Sequence, residues 1–99
     1  MTDLELIDSN LTRLLNEMAS QSSVGEAFDR SCMSFNDHMR SIREYIDVGE
    51  AGLAYELMIC LLEEYPFAVT GPAIVGLVEV ALIFGYKTER AKDVRFRKA

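Results

Sequence analysis

Apolar residues recur along this chain at helical rather than alternating spacing. Leu4, Ile7, Leu11, Leu14 and Met18 follow one another at steps of three or four, with Leu15 beside them, and trace one stripe of a helix. Thr2 and Glu5 have the form of a capping box, in which each side chain accepts the other residue's backbone N–H. The composition of Ser20-Gln21-Ser22-Ser23 ends this helix near Ala19. Residues 24–35 are less periodic. Val24, Ala27, Phe28 and Met33 permit a short helix, Gly25 and the Ser/Cys cluster oppose it, and a short helix or ordered loop is expected. Ser34 or Asn36 caps the next helix, which runs roughly to Val48 with Met39, Ile42, Tyr45 and Ile46 inward. Gly49 fits the left-handed residue that commonly ends a helix.

The stretch Glu44–Tyr65 has the most unusual pattern. At about 100° per residue, Leu53, Ala54, Tyr55, Leu57, Met58, Ile59, Leu61 and Leu62 spread over well more than half a helical wheel. Glu56 and Glu63, seven apart, form the clean polar stripe. A helix apolar on most sides is normally surrounded by protein, so a central helix is predicted here, ending before Pro66 because the residue preceding proline avoids the α region. Phe67–Thr70 then reads as a connector. Thr70 or Gly71 caps a further helix with Pro72 in its first turn. Ile74, Leu77, Val78, Ala81 and Leu82 keep helical spacing up to Gly85. The β-branched content of that segment also permits a strand, but its length and helical neighbours favour a helix. Thr88–Asp93 is predicted as a short terminal helix, with Val94–Ala99 frayed. The expectation is an all-α fold: a compact single-domain bundle of four to five short helices over residues 1–99.

Composition agrees. Ninety-nine residues, about half of them apolar, can bury a core without metal or disulfide staples. The chain begins without a basic segment followed by an apolar run, so no signal peptide is expected. Pro72–Phe84 is too short, and interrupted by Glu79, for the roughly 20 residues of a membrane span. Two cysteines, Cys32 and Cys60, suit a reducing compartment, and a cytoplasmic location is expected.

Charge adds a second layer. The net charge of −6 divides into fourteen acids and four bases in residues 1–86, and two acids and six bases in residues 87–99. The body should repel nucleic acid and anionic membrane and attract a basic partner. The basic tail 87–99 is a solvated end, a strap for the acidic body, or a partner contact. Between Glu44 and Tyr65 there are six carboxylates (Glu44, Asp47, Glu50, Glu56, Glu63 and Glu64) and no Lys or Arg.

Catalytic constellations are harder to find. Ser34 and His38 are four apart on a helix with Asp37 adjacent, but Asp37 points to another face, so no triad follows locally. One histidine and two distant cysteines do not supply a zinc site. Glu63 and Glu64 diverge by about 100° on a helix, and so do not converge as an acid–base pair. Gly49-x-x-Gly52 lacks the third glycine and preceding strand of a phosphate loop. Neither an enzyme nor a cofactor is expected. Met18, Met33, Met39 and Met58 read as core gap-fillers. Tyr45, Tyr55, Tyr65, Phe67 and Tyr86 flank the acidic region, and Tyr65 and Phe67 are the candidates to anchor an interface there.

Ile42 to Glu64 (IREYIDVGEAGLAYELMICLLEE) resembles the MafI-like immunity proteins of bacterial polymorphic toxin and contact-dependent inhibition systems. The matching positions are Ile42, Ile46, Gly49, Glu50, Gly52, Leu53, Ala54, Glu56, Leu57, Leu61, Leu62 and Glu64, and the resemblance covers about half the chain. It implies a small cytoplasmic α-helical protein that binds and neutralises a cognate secreted toxin domain, often a ribonuclease. Such a protein is expected to be a monomer before binding. Its contacts to a basic toxin surface would come from the six carboxylates, Tyr65 and Phe67. The alternative is a small acidic adaptor or regulator, or a protein that self-associates through its apolar helices.

Overall fold

The computed structural model describes residues 2–28 and 33–85, and all regular structure among them is helical. Four α-helices, α1 (Asp3–Ala19), α2 (Phe35–Asp47), α3 (Ala51–Glu64) and α4 (Gly71–Ile83), are joined by a 3₁₀ segment, Ser22–Ala27, and by short connectors. The fold is a compact all-α bundle. The terminal helix expected over Thr88–Asp93 lies outside the described residues, as does the rest of the tail.

Local chemistry sets the helix boundaries. At α1, the Thr2 hydroxyl accepts the Glu5 N–H and the Glu5 carboxylate accepts the Thr2 N–H, both at 3.2 Å, completing the capping box. Ser34, not Asn36, caps α2 by accepting the Asp37 N–H at 3.1 Å. That helix ends in a Schellman arrangement: Gly49 at φ +82° donates to Ile46 and Glu50 donates to Tyr45. Thr70 caps α4 with Pro72 in the first turn, and Gly85, also at φ +82°, ends it by donating to Leu82.

The central helix is α1. It packs against α2, α3 and α4, whereas α3 packs chiefly on α2 and α1. The fully buried side chains Leu11, Leu14 and Met18 of α1 meet Ile42 of α2, Met58 of α3 and Val80 of α4 in one core. This corrects the expectation for α3, which buries a single stripe, Ala51, Ala54, Met58 and Leu61. Its other apolar residues lie half-buried or, like Leu53 and Cys60, exposed. Apolarity all round licenses central burial but does not compel it; the helix with the sharper stripe takes the middle place. Two smaller corrections follow from position. Leu4, on the predicted stripe, is exposed at the end of α1, and Met33 lies outside the core, with the Ser41 hydroxyl 3.8 Å from its sulfur.

A polar clamp fixes α4 antiparallel to α1. Glu17 and Gln21, one turn apart at the end of α1, grip the connector that precedes α4. The Glu17 carboxylate accepts the Thr70 N–H at 2.9 Å and its hydroxyl at 2.7 Å. The Gln21 amide donates to the Ala68 carbonyl at 2.6 Å and accepts the Ala68 N–H at 2.8 Å, satisfying a backbone that no strand partner serves. Further along, buried Asn10 donates to Glu79 at 3.4 Å. A Cβ on Gly76 would stand 3.1 Å from the Asn10 side chain, so the two helices meet at a residue without one.

Candidate partner-binding surface

All six predicted carboxylates are exposed. On α2, at about 100° per residue, Glu44 lies opposite the stripe of Phe35, Met39, Ile42 and Ile46 that faces the core. Asp47 sits at the end of the same helix, and Glu50 follows the Gly49 turn into α3. On α3, the stripe opposite Ala51, Ala54, Met58 and Leu61 holds Glu56 and Glu63 within about 20° of each other, with exposed Leu53 and Cys60 alongside. Glu64 lies about 80° around from Glu56. The structure therefore brings Glu56 and Glu63 together on one outward stripe. Asp47 and Glu50 cluster at the α2–α3 turn, and Glu64 points to a flank.

Five of these groups, Glu44, Asp47, Glu50, Glu63 and Glu64, have no hydrogen bond or ion pair with another side chain among the described residues. Glu56 is exposed but engaged in an interaction of its own. The ion pair found among the described residues is elsewhere on α2, between Arg40 and Asp37. Unpaired surface carboxylates are well solvated and repel one another weakly; a basic partner relieves that repulsion and is drawn in by it.

The aromatic candidates sit at the edge of this surface. Tyr65 stacks on Phe28 with centroids 3.9 Å apart and planes at 13°. Phe67 lies parallel-offset to Phe35 at 6.2 Å, and Phe28 meets Phe35 and His38 edge-on at 5.7 and 5.4 Å. Both Tyr65 and Phe67 are half-buried, so each ring is held by the cluster on one side and leaves part of its surface uncovered. That rigidity reduces the entropy lost on ordering an anchor.

His38 belongs to the same cluster, and its Nδ1 is buried without a hydrogen-bond partner among the described residues. Its helix neighbours are engaged elsewhere: the Ser34 hydroxyl caps α2 and Asp37 pairs with Arg40. No group of three or more His, Cys, Asp or Glu able to hold a metal ion occurs among the described residues, and no helix there is long and apolar enough to cross a membrane. The Glu17–Thr70 and Gln21–Ala68 clamps went unforeseen, because a glutamate and a glutamine on a helix surface carry no mark of a partner some fifty residues away.

Comparison with known proteins finds no matching family model, no similar curated protein and no matching solved structure.

Proposed function

We propose that this protein is a non-enzymatic immunity protein. It binds one to one a cognate toxin domain with a basic surface, most simply a ribonuclease, and neutralises it in the cytoplasm. The observation that carries the reading is the run Glu44–Tyr65, which presents six exposed carboxylates with no Lys or Arg between them. The resemblance of Ile42–Glu64 to MafI-like immunity proteins supports the same reading.

The physics is that of electrostatic complementarity. A nuclease cleft is basic because it holds phosphate, and an acidic helical surface can cover it while being steered towards it. Glu44, Glu50, Glu56 and Glu63 supply the field, while Tyr65 and Phe67 contribute apolar contact at its edge. Rim charges act mainly on the association rate, and buried anchors on the dissociation rate.

The deciding experiment titrates the purified protein into the toxin domain encoded immediately upstream. Nuclease activity should fall in proportion and vanish at equimolar inhibitor. Undiminished activity at excess, or no tight complex by calorimetry, sinks the proposal.

A further inference from the structure

Among the described residues, α4 is the one helix whose outer face carries no charge. At about 100° per residue, Gly71, Ile74, Val75, Val78 and Leu82 all fall within about 60° of Val78, and every one is exposed. Gly85, exposed as well, follows the end of the helix. Ala73, Gly76 and Val80, on the far side, are the buried residues. Ile74 is 42% exposed, Val75 57%, Val78 46% and Leu82 59%, so four bulky side chains of this helix face outward, while Leu77 and Ile83 are half-buried against the core. Its one ionisable residue, Glu79, lies about 100° from Val78 and accepts the hydrogen bond from Asn10. The outward residues of the other helices include Glu5 and Arg13 on α1, Arg40 and Glu44 on α2, and Glu56 and Glu63 on α3.

The pattern on this face is close to a palindrome about Val78. In an antiparallel pair of helices with the two-fold axis at Val78, Val78 meets its own copy, Ile74 meets Leu82, and Gly71 at the start of one helix lies towards the Gly85 turn that follows the end of the other. Bulky side chains then interdigitate in the middle, and small residues at both ends let the helices approach. A self-complementary face is what an isologous dimer requires. We infer that two copies of this chain pair through α4 in this antiparallel arrangement, in place of the monomer expected before toxin binding.

The self-complementary pattern selects a second copy as the occupant, and charge permits it. Residues 1–86 carry fourteen acids and four bases, so two copies repel wherever their acidic faces meet, and α4 is where they approach without that penalty. The chain's own residues 87–99 bring six bases, and a face without carboxylates offers them no counter-ion. A 13-residue helix is about 20 Å long, which gives an interface at the small end of the specific range. The dimer is therefore reversible and concentration-dependent. It uses α4, whereas the proposed toxin contacts lie on α2, α3 and the residues after α3, so either idea can fail alone.

Sedimentation equilibrium of the full chain, from about 1 µM to about 1 mM, should show the mass rising from 11.1 kDa towards twice that value. Val78→Lys should hold it at the monomer mass with an unchanged helical circular-dichroism spectrum. In a background of Cys32→Ser and Cys60→Ser, Val78→Cys should oxidise to a covalent dimer while Gly71→Cys should not, because only the residue on the axis meets itself. A monomer at every concentration overturns the inference, whether the face is left bare or covered by the tail. A dimer that survives Val78→Lys overturns it by placing the contact elsewhere. Equal cross-linking at 71 and 78 overturns the antiparallel pairing, and the cross-linking comparison decides the matter if Val78→Lys does not fold.

Discussion

Glu17 is the residue whose ionisation the fold most directly uses. The N–H and then the hydroxyl of Thr70 stabilise its charged form, with Arg13 adding to them, and hold its carboxyl below the ordinary glutamate value. A depressed carboxyl contributes stability that is fully present above the unfolded-state value and is lost as pH falls through the folded-state one. Thermal melts recorded from neutral to acid pH should therefore show a falling midpoint that is shallower in Glu17→Gln. Identical slopes would show that the Thr70 clamp carries no pH-dependent stability. Core positions separate at the same scale. Leu61 is 3% exposed, and Leu61→Ala should cost about 2–5 kcal/mol. Leu57, apolar on the same predicted central helix, is half-buried, and Leu57→Ala should cost about 1 kcal/mol. Equal losses in chemical denaturation would contradict this ranking.

Among elements, the joint between α1 and α4 is the one held by polar groups and close backbone approach. Gly76 sits where a Cβ would press on Asn10 at 3.1 Å, and a larger side chain must displace Asn10 or part the helices. Gly76→Leu should destabilise by about 1–3 kcal/mol, the usual cost of overpacking, and a denaturation midpoint at or above wild type would refute the close approach. The turn between α2 and α3 makes the converse case. Nothing crowds Gly49, but its φ of +82° is unfavourable for a side chain. Gly49→Ala should cost about 1–2 kcal/mol from backbone strain alone. Glu44 on α2 and Glu63 on α3 are exposed and lie off the core, so Glu44→Gln combined with Glu63→Gln should leave the melting temperature nearly unchanged while weakening the proposed toxin binding. A variant that unfolds would show that these carboxylates are structural.

For the whole molecule, the proposed function makes the uneven charge the means of steering to a basic partner. Association with a basic toxin domain should slow steeply with added salt, because exposed charges are screened beyond about 8 Å at physiological ionic strength. Stopped-flow rates that ignore salt would rule out electrostatic steering without ruling out inhibition. Tyr65→Ala and Phe67→Ala, at the edge of the same surface, should instead raise the dissociation rate.

Helix boundaries were legible in the sequence because their causes are local. A Thr–Glu pair three apart, a serine before an apolar helix, a glycine where φ must be positive and a proline after Tyr65 act within a few residues of where they stand. They place α1, α2, α3 and α4 with little help from the rest of the chain. The outward position of Glu56 and Glu63 was legible for a similar reason, since few ways of burying α3 would bury those two charges. What the tertiary structure alone decided was which helix lies in the middle and which way the most apolar helix turns. α3 and α4 are apolar around most of their circumference, so their own residues barely orient them. The choice falls to partners distant in sequence: Gly76 admits Asn10, Glu17 and Gln21 hold the backbone of Ala68 and Thr70, and the small residues of α4 fit against α1. That fit leaves Ile74, Val75, Val78 and Leu82 outside, where residue spacing alone had no means of placing them.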